Sequence, residues 1–575
     1  MARRLFIIAS LLALTACSGF LTKEPEDALP VGEFFKDEEQ CRLYTNQFYR
    51  MLPSGMDIFN EGADIIIKST LAPEVRGSRF VSSKDSHWSW GDLRDINFFL
   101  ERADQCRDTS ARREYIGLAK FFRAWFYYDK VRRFGDVPWF EHTLGTNDAN
   151  LYKGRDSRVL IMQHVLSDIN EAASVLPDRH EDYRVTRWTA LALKSRIFLF
   201  EGTFRKYHGI SGWEECLAEC ASASKELMDN GGYSLYTAGD TPYGDLFRSL
   251  KTVSQEVILS QAYGLSMSIT HNVNDYFTST TMGRSGVLKD VVDSYLNSDG
   301  SRFTDTPGYG TMEFMQECQN RDPRLSQTIR TPGYTREGSK VWVAPDMNAT
   351  LTGYQIVKYV GEPKYDISNT SENDLPLFRI AETYLNYAEA RAELGTITQE
   401  DLDATVCLLR ARAGMPPLSL AAADADPDPF LSDPATGYRN VTGAHKGVIL
   451  EIRRERTVEL ICEGFRYWDI MRWKEGKRFD RPFRGMYFPG PGTYDLDGSG
   501  TDDFCIYSGD APAVESGVAY SNIDDLALTE GTRGNIVRFS GVQRNWREDR
   551  DYLFPIPTDD IVLTGGAVVQ NPNWE

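Results

Sequence analysis

The chain has 575 residues, room for one large core or two to three ordinary ones. Its formal net charge of -19 repels nucleic acid and anionic lipid and favours solubility. Aromatics reach 12%, with 11 Trp and 28 Tyr, and no apolar run approaches the ~18 residues of a membrane span.

Arg3 and Arg4 precede the apolar stretch Leu5 to Leu14, a secretory-signal profile over residues 1–16. Thr15 and Ala16 are small enough for a peptidase to cut before Cys17, and a plain signal needs no cysteine there. Leu14-Thr15-Ala16-Cys17 resembles the bacterial lipobox, whose cysteine is acylated and becomes the mature N-terminus. The three chains that resemblance implies hold stably, where one holds only marginally. Residues 17–36, with Pro25, Pro30 and several acids, lack helical periodicity and are expected to form an acidic tether.

From Asp37 apolar residues recur at three- and four-residue spacing through 37–52, 93–105, 111–135, 157–177, 186–202 and 213–232. These predict helices stacked as antiparallel pairs. "ALALKSRIFLFEG" has the small-then-large alternation of a tetratricopeptide-like second helix, without a strict 34-residue repeat. Over 233–374 the signal fails; Gly, Pro, Ser, Thr and aromatics dominate, with short β-like runs such as Glu256-Val257-Ile258-Leu259. Loops this long usually carry function, so this region is expected to present ligand. Helices return at 375–394, 401–414 and 447–476, and the last hundred residues are loop-rich. The expected fold is predominantly α, a tetratricopeptide-like scaffold with long loop-rich insertions. Residues 37–232, 233–374 and 375–575 form one structural unit.

The most charged helix carries Glu455, Glu459 and Glu463 at four-residue spacing, with Arg453, Arg456 and Arg466 around them. Glycosidases bracket a bond with two acids, whereas these project from one face. They are expected to form an Arg–Glu network between packed helices, with Trp468 and Trp473 as core aromatics. No nucleophile elbow, Walker loop or dinucleotide fingerprint occurs, so no catalytic residue is assigned and no enzyme expected. "YDLDGSGTDDF" places Asp495, Asp497, Ser499 and Asp503 at calcium-loop spacing. Position 12 is Ile506 instead of Glu, so an Asp- and Gly-rich turn is expected, with a weak Ca²⁺ site as the alternative; no other metal or cofactor is expected. The eight cysteines besides Cys17 are too scattered for a disulfide scaffold, and their pairing stays open.

Phe121, Phe122, Trp125, Phe126, Tyr384 and Tyr387 fall in helical register and are expected in the core. Loop aromatics such as Trp88, Tyr276, Phe277, Tyr309, Tyr334 and Trp342 are the stacking candidates, since an aromatic face suits the C–H face of a sugar.

Several stretches together resemble the SusD/RagB family of outer-membrane nutrient-binding lipoproteins. They are "CSGFLTKEPED", "LAKFFRAWFYYDKVRRFGDVPWF", "NRDPRL", "FRIAETYLNYAEARAELG", "LLRARAGMPPL", "RRERTVELICEGFRYWDIMRWKEG" and the terminal "LFPIPTDDI…QNPNW". They run in order over nearly the whole mature chain. The resemblance implies a non-catalytic, lipid-anchored, cell-surface protein that binds oligosaccharide and acts as a lid on a SusC-like TonB-dependent outer-membrane transporter. A peptide-binding protein of the same fold is the alternative, and a surface glycoside hydrolase a more remote one. Ligand contacts vary with substrate in that family. The expected ligand-binding residues therefore rest on exposure alone: Arg76, Trp88, Tyr276, Phe277, Tyr309 and Trp342.

Overall fold

The computed structural model describes residues 34–574; the signal segment and Cys17 lie outside the described residues. Six helices of eight or more residues build the described first part: α1 Glu38–Thr45, α2 Gly91–Leu100, α3 Thr109–Phe134, α4 Arg158–Val175, α5 Arg187–His208 and α6 Trp213–Asn230. Their starts are written in side chains. Asp37, Asp108 and Ser157 accept backbone N–H groups of the first turns of α1, α3 and α4, and Thr186 forms a capping box with Thr189. Gly209, at φ 74°, ends α5 in the left-handed conformation.

Helices α3 and α4 pack as one pair and α5 and α6 as the next. Glycines set both spacings: a Cβ on Gly117 would lie 2.4 Å from Val175 Cγ2, and one on Gly202 would lie 2.7 Å from Leu217 Cδ2. Helix α3 buries Phe121, Phe122, Trp125 and Phe126, as its register predicts. Phe34 and Phe35, placed in the tether by sequence, belong to the folded body. Phe35 is 1% exposed and meets Tyr44 and Phe99 edge-on at 4.9 and 5.1 Å.

The region 233–374 contains short helices, none longer than seven residues among those described, and its β-like run becomes strand Val257–Gln261. The partner of that strand is Leu375–Arg379, antiparallel to it, so the helix expected from 375 starts at Ile380 instead. This helix, α7 Ile380–Glu393, packs against α5, α6 and α8 Lys446–Leu460. Small sheets in the C-terminal part pair Phe483–Phe488 with Gly534–Arg538, and Phe504–Tyr507 with both Gly492–Tyr494 and Ala519–Asn522.

The helical stretch expected over 447–476 is broken. Cys462 (φ 65°) and Gly464 (φ 78°) leave the right-handed region between α8 and α9 Arg466–Arg472. The amides freed there, of Cys462 and Arg466, donate to the buried Glu61 carboxylate at 2.7 and 2.8 Å. The break also turns Glu463 toward Lys358 and Arg379, each at 2.7 Å.

Helix α8 is buried with its charges, and the expected Arg–Glu network holds the helices to their surroundings. Arg379 reaches Glu459 at 2.7 Å and Glu256 at 3.0 Å. Arg324 and Arg410 clasp Glu455 at 3.0 and 2.6 Å, while Arg412 pairs with Glu459 and Glu256. Arg472 pairs with Glu389, which also accepts Trp473 Nε1–H at 2.7 Å. Buried ions persist only where paired, and each of these carboxylates meets at least one guanidinium or ammonium group.

The terminal "QNPNW" closes the chain onto α3. Asn571 Nδ2 donates to the carbonyls of Phe134 (3.0 Å) and Phe554 (2.7 Å), and Trp574 Nε1 donates to Leu553 O at 3.1 Å.

Candidate ligand-binding site

At the C-terminus of α3, Gly135 (φ 73°) stops the helix and Asp136 caps α4 by accepting the Arg158 amide at 2.7 Å. The chain then runs through Pro138 and Phe140 alongside the start of α2. Between them opens a cleft of about 360 Å³, within the size range of small-ligand sites. Its aromatic floor is Trp90 and Phe140, both half-buried, with ring centroids 5.4 Å apart and planes at 82°. Leu151 and Val568 wall it; Arg94, His142, Thr143, Lys153 and Asp560 supply polar groups. Thr143 is fixed by Glu101, which accepts its Oγ1–H at 2.7 Å, and Lys153 by Asp156 at 2.6 Å. Arg94 is exposed and has no ion pair among the described residues.

The strap Ser86–Trp90 divides this cleft from a second cavity of about 480 Å³. Trp88 and Trp90 line the cleft, while Ser86, His87 and Ser89 line the cavity. Lys130 of α3 holds the strap by donating to the His87 carbonyl, its ammonium 4.6 Å from the Phe126 ring. Burial lowers Lys130 to about 8. The second cavity is walled by charges that are already paired: Asp129 with Arg132 and Arg133, Glu382 with Arg196, Asp469 with Arg456 and Arg472. The cleft instead combines aromatic ring faces with polar groups at its rim, an arrangement that can meet C–H surface and hydroxyls together.

The six residues expected from sequence separate. Arg76 is exposed at the end of a four-residue helix, and Trp342 is 47% exposed beside exposed Val341. Tyr309 is half-buried, edge-on to Phe303 and Phe430. Trp88, Tyr276 and Phe277 are buried, which corrects their reading as exposed stacking faces. Tyr276 and Phe277 pack on Phe59, at 5.7 and 6.1 Å, because their short helix turns inward to build core. Trp88 is 4% exposed, edge-on to Phe134 at 4.8 Å, and lines the cleft with little accessible surface. None of the other five lines this cleft. Trp90 and Phe140 were missed; alternation within "SHWSW" is the signal that points to Trp90.

In the loop after Gly492–Tyr494, carboxylate oxygens of Asp495, Asp497 and Asp503 lie within 4.8 Å of one another. Backbone amides already donate to part of this oxygen set. Gly498, Ser499 and Gly500 donate to Asp495, and Leu496 and Asp497 donate to Asp503. Burial raises Asp503 to about 6, and its Oδ1 has no hydrogen-bond partner. Ile506 is buried in its strand where a calcium loop needs a carboxylate. The donor set fits a turn closed on its own amides better than a calcium loop.

Paired helices carrying long insertions, with a surface cleft at the first insertion, define a helical-repeat binding scaffold. The chain belongs to the SusD family: that family's model matches residues 254–574, and a second model, described as starch-binding and associating with the outer membrane, matches 88–199. It is similar to SusD-like protein P38 of Formosa agariphila, 23% identical over 537 residues, which cover 84% of this chain and 92% of that protein. It also resembles the starch-binding protein SusD of Bacteroides thetaiotaomicron, 24% identical over 54% of this chain and 61% of that one. A SusD-like carbohydrate-binding protein of Bacteroides fragilis shares the fold, with TM-score 0.67 at 22% identity over 92% of this chain and 99% of that one.

Proposed function

We propose that this protein binds oligosaccharide or polysaccharide without cleaving it, in the cleft floored by Trp90 and Phe140. The observation that carries this reading is positional. Trp90, Arg94, Phe140, His142 and Lys153 all fall within residues 88–199, the stretch matching the starch-binding description, and they converge on one aromatic, polar-rimmed cleft. The binding-only reading is supported by Glu455, Glu459 and Glu463, which are engaged by guanidinium or ammonium groups and not poised around an open site. No cofactor is needed for it.

The protein is further proposed to be held to the outer membrane by acylated Cys17, at the cell surface, and to pass its ligand to a SusC-like TonB-dependent transporter. Affinity electrophoresis of protein lacking residues 1–17 across a glycan panel tests binding. Retention by a polysaccharide whose length stays unchanged supports it; release of reducing ends contradicts the non-catalytic part. Retention of peptides alone would make the ligand a peptide. Cys17→Ser should free the protein from the membrane with its fold intact, and co-purification of a barrel with the wild type tests the transporter.

A further inference from the structure

We propose that the second cavity, behind the strap Ser86–Trp90, binds the carboxylate of a small hydroxylated molecule on Arg133, beside Arg132 and Lys130. The cavity of about 480 Å³ has room for a ligand of monosaccharide size. Its charges are paired, but not evenly. Arg196 has Glu382, Arg456 has Asp469, Arg472 has Glu389, and Arg379 has Glu256, Glu459 and Glu463. On α3, by contrast, Arg132 and Arg133 both direct their Nε–H groups at Asp129, at 3.0 and 3.1 Å. Lys130, next along the helix, has no ion pair among the described residues. Other acids near the strap are engaged: Asp85 accepts from His87, and Asp92 from Arg50. Asp57 lines the cavity from an exposed position and accepts the Ser54 amide.

Three cations thus share one carboxylate in a partly enclosed site, where water screens charge poorly. Lys130 feels the excess: burial lowers its ammonium, Asp129 opposes that, and Arg133 adds to it. The Arg133 Nη groups have no hydrogen-bond partner among the described residues, while the side chain stays 17% accessible. The Trp468 ring lies 4.3 Å from the Arg132 guanidinium and 5.2 Å from that of Arg133, so the forks are held without their donors being spent. Two spare N–H groups on one planar fork match the two oxygens of a carboxylate. The Ser86 and Ser89 side chains, exposed on the same wall, can meet hydroxyls. The ligand class is therefore a sugar acid. This site stands on the cavity alone and does not need the glycan reading of the cleft.

The test is a thermal melt of protein lacking residues 1–17, titrated with sodium glucuronate, sodium acetate or glucose at matched ionic strength. A ligand that binds only the folded state raises the melting temperature with concentration. Glucuronate should do so for the wild type, and Arg133→Met should need about tenfold more glucuronate for the same rise. Arg133→Lys, which keeps the charge but not the fork, should fall between them. The rise should persist in Trp90→Ala/Phe140→Ala, which separates it from binding in the cleft. An equal, Arg133-dependent rise with acetate supports the site and makes a bare carboxylate sufficient as its ligand. A wild type that glucuronate does not stabilise, or that glucose stabilises as well, overturns the proposal whether or not the Arg133 variants fold. A rise indifferent to Arg133, or lost with the cleft rings, overturns it too.

Discussion

Trp90 and Phe140 meet edge to face, centroids 5.4 Å apart, and together floor the cleft beside α2. A sugar laid there would bury C–H surface against rings that the fold already holds rigid. Phe140 is fixed by its neighbours: its carbonyl accepts Asn97 Nδ2–H at 2.9 Å and its amide donates to the Tyr127 hydroxyl at 2.7 Å. Trp90→Ala or Phe140→Ala should each weaken glycan retention about tenfold, the ~1.4 kcal/mol scale of one good aromatic contact. Melting temperature should fall less for half-buried Trp90→Ala than for fully buried Trp88→Ala. Affinity electrophoresis with a thermal melt separates the two effects.

Trp88→Ala should behave differently. Its ring is buried against Phe134, so its removal leaves a cavity costing about 3–5 kcal/mol. Denaturant unfolding should reveal that loss; a fully stable variant with weakened binding would return Trp88 to the ligand face.

Breaking the central ion network from one side should be costly. Arg379→Met leaves Glu256, Glu459 and Glu463 each short of a partner, and one-sided removal of a buried pair costs about 3–5 kcal/mol. The urea midpoint should fall accordingly. A shift no larger than that of an exposed pair such as Arg42–Glu39 would contradict the network's structural role.

Acid should act through the same network. Burial alone would raise the Glu389 carboxyl, but the Arg472 guanidinium at 2.8 Å, backed by Arg456 and Arg453, holds it at about 2 against its ordinary 4.5. The folded value lies below the unfolded one. This stabilisation is therefore complete above about pH 4.5 and is lost as pH falls through about 2. The stability gap between wild type and Glu389→Gln should narrow over that window; a gap independent of pH would contradict the assignment.

Calcium should matter little. With amides of residues 496–500 seated on Asp495 and Asp503, millimolar calcium or a chelator should leave the melting temperature unchanged. A calcium-dependent rise of several degrees would show that Asp495, Asp497 and Asp503 take a metal.

The long helices were legible because each repeats apolar residues at helical spacing between identifiable caps, as Asp108 and Gly135 bound α3. Leu375–Arg379 was not: five consecutive buried residues lack alternation, and their strand identity comes from pairing with Val257–Gln261, over a hundred residues away. The break at Cys462 was hidden for a similar reason, since the acceptor for its freed amide is Glu61. Among candidate site residues, exposure was inferred from sitting in a loop. That inference fails at Tyr276 and Phe277, because the long insertion folds its own core on Phe59. It nearly succeeds at Trp88, where the cleft-floor ring, half-buried, belongs to the residue two positions on.

The most direct test is a side-by-side affinity measurement on protein lacking residues 1–17. Wild type and the Trp90→Ala/Phe140→Ala double variant are run against the polysaccharide that retards the wild type best, with a thermal melt of each. Retardation lost in a double variant that remains folded is the expected result. A folded double variant retarded as strongly as wild type would contradict the cleft as the glycan site.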